Sequence, residues 1–266
     1  MLTERMTASR LLGGGPMLIF LTNDDGIHAV GLRAMYNALR NSGHDVAVFA
    51  PLTEQSAVGH AVTISTPLRV REICEPGFVG TAVMGTPTDC MKLGIHQLLG
   101  KTPDLVISGI NQGANVGPDI LYSGTVSAAT EGAHMGFPSL AISHDSFNPG
   151  DMSGIAEHAM RLIGAIRWHE LPRRCVLNLN YPNVPVNEFN GLALCPQTTA
   201  VWHDTYELRR DPRGAPYWWI TGTIPEQEIE AGSDRDLLSR GYATLTPLRF
   251  DFTDRNTLAG LAYLND

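Results

Sequence analysis

The sequence is poor in cysteine and in charge, and it contains no long apolar run. Four cysteines stand among 266 residues, widely spaced and without a CxxC pair. Such spacing gives no support to a zinc finger or a disulfide framework, and it is typical of reduced thiols in the cytosol. No uninterrupted apolar segment approaches the roughly 20 residues that cross a bilayer. We therefore expect a cytoplasmic protein without a membrane partner.

Basic residues are outnumbered by acidic ones. The chain carries 19 Lys and Arg against 27 Asp and Glu, for a formal net charge of −8, and it has no basic run. This balance argues against a surface that binds nucleic-acid polymers, whose phosphates attract clustered cations. A phosphate site in so acidic a protein needs a metal ion or backbone amides to offset the local field.

Strand and helix patterns alternate through the first two thirds of the chain. Strands are predicted at Leu18–Leu21, Asp45–Ala50, Phe78–Val83, Asp104–Ser108, Ser139–Ser143 and Val176–Asn180. Helices are predicted at His28–Asn41, from Thr86 to about Leu99, from Ser123 through Glu131, and at Ile155–Trp168. The alternation predicts an α/β fold with a Rossmann-like, doubly wound, mostly parallel sheet.

The two ends of the chain differ from this core. Residues 1–16 include a Gly-Gly-Gly-Pro run and are expected to be a disordered leader or a cloning remnant. Residues 17–266 are expected to form a single α/β domain, with about 190–266 as a β-rich, partly antiparallel extension for oligomerisation. Aromatic residues cluster there at Tyr217–Trp219. We expect a homodimer or a homotetramer.

The first candidate site follows the first predicted strand, where Asp24 and Asp25 precede Gly26. Ligand sites of open parallel sheets lie beyond the carboxyl ends of the strands, so both carboxylates are expected at that edge. Neighbouring carboxylates repel each other and ionise together most readily around a cation. An Asp-Asp-Gly turn without an ion is the alternative.

The second candidate site is the segment from Ser108 to Val126, which begins at a strand end and stops at a helix start. Its glycines allow close approach of a ligand, and Asn111 and Asn115 supply polar groups. Ser123 is expected to cap the helix and leave the amides of residues 124–126 pointing outward as a phosphate site. A long structural loop with a capped helix is the alternative. Neither a Walker loop nor a GxGxxG fingerprint is present.

Together the two segments predict a hydrolytic reaction. Asp24 and Asp25, with neutral oxygens from Ser56 and Asn111, favour one hard divalent ion such as Mg²⁺ or Mn²⁺. The helix start at Ser123 would hold a phosphate opposite the metal, and water attack would hydrolyse a phosphomonoester. Either Asp24 or Asp25 would handle the proton of that water.

Seven further polar residues are expected to have structural or surface roles. His28 and His60 are expected to be solvated or at helix starts, and Asp89 and Lys92 to form a surface pair on one helix. Glu131 is expected to be structural. Asp234 and Asp236 are expected to be surface charges on a short helix.

Three sequence blocks resemble the SurE family of stationary-phase survival proteins, which are 5′/3′-nucleotidases. The blocks are Leu21–Ile27, Ala50–His60 and Ser108–Thr125, and Thr246–Leu248 resembles the family's final strand. The resemblance implies a metal-dependent phosphatase of nucleoside monophosphates that also acts on short polyphosphate and forms dimers or tetramers. By position it implies metal ligands at Asp24, Asp25, Ser56 and Asn111. It implies phosphate-side residues at Asn115, Ser123, Gly124 and Thr125.

Two residues depart from the family pattern. Val30 stands where proline is common, and Ala57 stands where glycine is usual, so Ala57 would restrict the Ser56 loop if that position needs a positive φ.

Two other classes of protein are alternatives to this enzyme. One is a Rossmann-like nucleotide or metal-binding module without turnover, and the other is a phosphatase with an aspartyl-phosphate intermediate. A phosphatase of the second kind requires an Asp-x-Asp motif after the first strand and a lysine in the pocket. Asp24-Asp25 lacks that spacing, and no lysine is evident for the pocket.

Overall fold

A nine-stranded sheet organises the chain in the computed structural model, which describes residues 15–265. The strands in chain order are β1 (Leu18–Thr22), β2 (Asp45–Pro51), β3 (Val70–Glu75), β4 (Phe78–Val83), β5 (Leu105–Gln112), β6 (Ser139–His144), β7 (Cys175–Tyr181), β8 (Leu192–Leu194), β9 (His203–Arg210), β10 (Pro216–Thr223) and β11 (Ala243–Arg249). The large sheet has the order β3-β4-β2-β1-β5-β6-β7-β11-β8, and β9 and β10 form a separate antiparallel pair. The prediction of a leader at residues 1–16 lies outside the described residues except for Gly15 and Pro16.

Helices cover both faces of the sheet. They are α1 (Val30–Asn41), α2 (Pro87–Leu93), α3 (Gly124–His134), α4 (Ser153–Ala165), α5 (Asp234–Ser239) and α6 (Arg255–Gly260). The helix predicted to run to Leu99 changes at Gly94 into a π-helical turn, and the helix predicted through Trp168 ends at Ala165. Within residues 15–265, no helix is both long and apolar enough to cross a membrane.

The central strands are parallel and buried on both faces. Strands β4, β2, β1, β5, β6 and β7 pair in parallel, whereas β3 and β11 run antiparallel to β4 and β7. In β1, Ile19 and Leu21 pack in the core under α1 and α4, and Phe20 packs on the opposite face with α2 and α3. A continuous apolar run is what a strand covered on both faces requires. The predicted doubly wound, mostly parallel α/β fold is confirmed.

The helix predicted from Thr86 begins with a capping box. The Thr86 hydroxyl accepts a hydrogen bond from the Asp89 amide, and the Asp89 carboxylate accepts one from the Thr86 amide, which forms a capping box with Pro87 in the first turn. Val30, at the position where the family commonly has proline, is the first residue of α1. Its helix begins without a side-chain cap, since Ala29 is the N-cap residue.

The hairpin of β9 and β10 makes the C-terminal part different from the core. Nearly every residue of these two strands is exposed, including Tyr206, Trp218 and Trp219. A turn at residues 211–214 joins the two strands, and in it the Gly214 amide donates to the Asp211 carbonyl oxygen at 2.9 Å. An antiparallel C-terminal region therefore exists as predicted, and its use in oligomerisation stays a prediction.

Helix α1 packs so closely on β5 that only glycine fits at Gly31. A Cβ atom there would lie 2.0 Å from the carbonyl oxygen of Ile110, which is backbone and cannot rotate away. The helix and the strand would have to separate to admit a side chain. Gly164 near the end of α4 has open space instead, with nothing within 4 Å of an added Cβ.

We expect opposite effects from the same substitution at these two glycines. Gly31→Ala should lower the free energy of unfolding by about 1–3 kcal/mol, as overpacking does. Gly164→Ala should raise it by about 0.5–1 kcal/mol, because alanine favours a helix and no contact opposes it. Urea unfolding of both variants checks this. A Gly31→Ala protein as stable as the wild type would contradict the close packing of α1 on β5.

Candidate active site

Asp24 lies buried between the end of β1 and the start of α3. Its carboxylate accepts a hydrogen bond from the hydroxyl of Thr125, and only 5% of the residue is exposed. A Cβ atom at Gly124 would lie 2.9 Å from Oδ2 of Asp24, so the first residue of α3 must be glycine for this approach. Burial raises the pKa of Asp24, and the hydrogen bond from Thr125 opposes this only in part. The positive end of the α3 dipole faces the carboxylate and favours its ionised form.

Asp25 points to the neighbouring strand. Its Oδ2 accepts a hydrogen bond of 3.0 Å from the Gln112 amide at the end of β5. Burial, followed by the charge of Asp24, raises the pKa of Asp25 to about 7. In the described part of the chain, no ion pair includes either aspartate. The pair therefore lacks a positive partner of its own.

The loop after β2 brings Ser56 toward the same edge. The Gln55 amide donates to the Asp24 carbonyl oxygen at 2.8 Å, which ties the start of the loop to the aspartates. The Ser56 hydroxyl is exposed and donates to the Glu54 carboxylate at 2.6 Å. The charge of Glu54 also contributes to the raised pKa of both aspartates. Sequence reasoning gave no role to Glu54, although its position two residues before Ser56 was a usable signal.

Ala57 has the backbone conformation that its identity disfavours. Its φ is +58°, in the left-handed region where glycine is usual. A residue with a Cβ atom is destabilised there by about 1–2 kcal/mol. Position 57 therefore needs a positive φ, which was the condition under which the sequence predicted that alanine restricts the loop that presents Ser56. Contacts elsewhere must hold the loop in place.

A buried carboxylate supplies one of these contacts. Glu131 on α3 accepts from His60 at 2.9 Å and from Lys92 at 2.8 Å, and 12% of its side chain is exposed. The hydrogen bond from His60 and, after it, the contacts of Lys92 lower the pKa of Glu131 to about 2. His60 ends the Ser56 loop, so the pair ties that loop to the helix that also carries Thr125. The structural role predicted for Glu131 is confirmed.

The predicted surface pair of Asp89 and Lys92 is wrong. Lys92 binds Glu131 instead. Asp89 is 1% exposed, and it also accepts two hydrogen bonds from Thr63, at 3.0 and 2.6 Å. The spacing rule for helix pairs applies to a solvated face, whereas this face of α2 turns inward. Asp89 thereby holds the far end of the Ser56 loop.

Asn111 lies at the carboxyl end of β5, beside the bulge between Ser108 and Asn111. Its Nδ2 donates to the carbonyl oxygen of Gly113 at 2.8 Å and to that of Gln112 at 3.3 Å. Both of these bonds use the amide nitrogen, so the side-chain oxygen is left for another partner. Asn111 is 8% exposed, which places a neutral oxygen donor in a largely dry setting.

Asn115 belongs to a buried amide network. Its backbone amide donates to Asn180 Oδ1 at 2.8 Å, and its Nδ2 donates to the Ser143 hydroxyl at 2.8 Å. The side chains of Asn178 and Asn180 in turn donate to its carbonyl oxygen. This network fixes the loop between β5 and α3 on β6 and β7. The two asparagines of β7 were missed because nothing local in the sequence connects them to Asn115.

The start of α3 differs in one respect from the prediction. Ser123 is the N-cap as expected, but its hydroxyl accepts from the Val126 amide at 3.0 Å, so that amide does not point outward. The Thr125 hydroxyl and amide face Asp24. The expectation of three outward amides is therefore wrong for Val126 and for Thr125, whose amide binds Asp24. The structure brings Ser123, Gly124 and Thr125 together with Asp24, and phosphate binding by them stays a prediction.

The predicted surface position of Asp234 is wrong. Asp234 is 1% exposed and accepts hydrogen bonds from the amides of Gly117 at 2.8 Å and Thr198 at 2.9 Å. The next residue, Arg235, binds Asp119 at 2.6 Å. Together these bonds hold the 3₁₀ turn at Gly117–Leu121, which leads directly into Ser123. His28 is exposed, as expected.

Within residues 15–265, no three or more His, Cys, Asp and Glu side chains form a group that could hold a metal ion. The edge instead combines two adjacent carboxylates with neutral oxygen groups. This donor set lacks nitrogen and sulfur and suits a hard cation.

The fold and the site together define a class of protein. It is a doubly wound α/β protein with an acidic, oxygen-rich site at the carboxyl ends of β1 and β5. A sequence model of the family described as survival protein SurE matches residues 19–204. The chain therefore belongs to the SurE family, and the resemblance seen in the three sequence blocks is confirmed.

Three similar proteins illustrate the relationship. The chain is 65% identical over 245 residues to a protein of Oleidesulfovibrio alaskensis named 5′-nucleotidase SurE, covering 92% of this chain and 95% of that one. It is 63% identical over 250 residues to a protein of the same name from Nitratidesulfovibrio vulgaris, covering 94% and 100%. The crystal structure of the SurE protein of Aquifex aeolicus superposes with a TM-score of 0.81 at 36% identity, covering 94% and 100%.

Removal of the Glu131 charge should weaken the protein most at neutral pH. The pKa of Glu131 is about 2 against an ordinary 4.5, so its ionised form stabilises the fold above pH 4.5 and this contribution is lost as the pH falls toward 2. Glu131→Gln should lower the free energy of unfolding by about 2 kcal/mol at pH 7. The difference from the wild type should shrink as the pH approaches 3.

Urea unfolding at several pH values measures this difference. Lys92→Met is the matched control, because it removes one partner of Glu131 and leaves the bond from His60. Its effect should be smaller than that of Glu131→Gln. A gap between wild type and Glu131→Gln that stays constant from pH 7 to pH 3 would refute the ionic role of this carboxylate.

Proposed function

We propose that this protein is a divalent-metal-dependent phosphomonoesterase that hydrolyses nucleoside 5′-monophosphates to nucleoside and phosphate. The observation that carries the proposal is the pair of buried aspartates without a positive partner, set against the start of α3. The names of its similar proteins, 5′-nucleotidase SurE, agree with it. We extend the proposal to 3′-monophosphates and short-chain polyphosphate, on the family resemblance alone.

The residues at this edge fit one Mg²⁺ or Mn²⁺ ion. Desolvation and mutual repulsion disfavour two charged aspartates, and a bound cation removes both penalties. Asp24, Asp25, Ser56 and Asn111 would hold the ion, and each offers an oxygen. The bound ion would supply Lewis-acid chemistry, offsetting the phosphate charge and making water more acidic.

The side chains of the protein itself would bind the phosphate and manage the proton. Ser123, Gly124 and Thr125 stand at a helix start, where the helix dipole and the Gly124 amide favour an anion. In this arrangement Thr125 also keeps Asp24 in position through its hydroxyl. Asp24 or Asp25 accepts the proton of the attacking water, and Asn115 holds the substrate loop on the sheet. Asn111 would complete the oxygen set.

We further propose a cytoplasmic homodimer or homotetramer. The exposed aromatic side chains of the β9–β10 hairpin support an interface between copies, since such side chains are enriched at interfaces. In the described residues Cys74, Cys90, Cys175 and Cys195 are all free, and Cys90 and Cys195 are buried, which agrees with a reducing compartment. No nucleic-acid polymer or membrane is proposed as a partner.

The test is phosphate release from a panel of nucleoside monophosphates, with chelator and with added Mg²⁺ or Mn²⁺. We expect release only with metal, and a loss of about 100-fold or more in Asp25→Asn, as for other groups that stabilise charge in a transition state. Asp45→Asn, a change at a solvated carboxylate on β2, is the control and should keep full activity. Wild-type turnover in Asp25→Asn would reject the assignment, and a folded wild type without release under any metal would favour a non-catalytic nucleotide-binding module.

A further inference from the structure

An exposed aromatic ring stands beside the candidate active site. Phe147 lies in the loop after β6 and is 88% exposed. Single exposed apolar side chains are common on protein surfaces and by themselves indicate nothing. The contacts under this ring are what distinguish it.

The ring of Phe147 is seated on a glycine of the site loop. A Cβ atom at Gly113 would lie 2.7 Å from Cε1 of Phe147, so the ring occupies the space that any side chain at Gly113 would need. Gly113 has a φ of +103°, and its amide donates to the His144 carbonyl oxygen at 2.8 Å. The loop that carries Phe147 and the segment that follows β5 at Gly113 are therefore joined directly beneath the ring.

This seat connects with the oxygen-rich edge on two sides. The carbonyl oxygen of Gly113 accepts from Asn111 Nδ2 at 2.8 Å, and the preceding residue, Gln112, donates its amide to Asp25 at 3.0 Å. Gly113 alone thus separates the ring from Asn111, and Gly113 and Gln112 separate it from Asp25. The nucleoside of a phosphate ester bound at this edge would extend from the phosphate toward solvent, on the side where Phe147 is exposed.

We propose that Phe147 is the platform on which the nucleobase of the substrate stacks. The inference rests on the proposed function and adds the residue that reads the nucleoside part. Stacking of a base on an aromatic side chain contributes about 1–3 kcal/mol and tolerates every base, because each has a π-face. The platform accepts all nucleosides and favours purines, whose larger rings cover more of the phenyl face.

The experiment compares adenosine 5′-monophosphate with ribose 5-phosphate, which carries the same sugar and phosphate without the base. Both are assayed with Mn²⁺ for kcat/KM. Phe147→Ala should lower kcat/KM for the nucleotide by about tenfold, the lower part of the stacking range. It should change the value for ribose 5-phosphate by less than about twofold. Phe147→Trp should restore the nucleotide value.

Val79→Ala is the control, since Val79 is 60% exposed on β4, the second strand from one edge of the sheet, and its change should affect neither substrate. An equal loss on both substrates in Phe147→Ala would overturn the proposal and make the ring a support of the Gly113 loop. Unchanged kinetics on both would also overturn it.

Calorimetric binding separates this proposal from the proposed function. If the wild type releases no phosphate, the nucleotidase proposal fails, and binding of adenosine 5′-monophosphate to both proteins still decides the role of Phe147. Affinity that falls about tenfold in Phe147→Ala supports the platform. Equal affinity in the two proteins rejects it.

Discussion

Two adjacent aspartates held at one edge of a parallel sheet are the constraint on which the site depends. Asp24 and Asp25 leave the end of β1 in different directions, one toward the start of α3 and the other toward the end of β5. Each carboxylate accepts a hydrogen bond from a separate element, so the two elements are drawn together around the pair. The glycine at position 124 then follows from geometry, since any side chain would strike Asp24.

The loops around the aspartates are stabilised by contacts remote from the chemistry. The loop of Ser56 contains a residue in a disfavoured conformation, Ala57, and is held at its far end by Glu131 and Asp89. This division is physically sensible, because a binding loop with a strained backbone persists only when its surroundings determine its position. Glu131 on α3 therefore helps to position the Ser56 loop, which is a separate part of the chain.

Sequence patterns predicted the features that depend on neighbours along the chain. The apolar run of β1, the helix start at Thr86 and the N-cap at Ser123 all express local periodicity or local hydrogen bonding. The errors concern partners distant along the chain: Lys92 binds Glu131 rather than Asp89, and Asp234 binds Gly117, 117 residues away. Spacing rules describe a solvated helix face and carry no information about which face the tertiary fold will bury.

The bond from Asp234 to Gly117 has a consequence for the order in which the protein is made. The parallel strands of the sheet have all been synthesised by Tyr181, yet the turn that leads into Ser123 receives its bond from Asp234 only when α5 is made, more than fifty residues later. Chains fold from the N-terminus during synthesis. A nascent chain can thus pair the parallel strands of its sheet before the turn at Gly117–Leu121 gains the bond from Asp234, so that the candidate site is complete only when nearly the whole polypeptide has been translated.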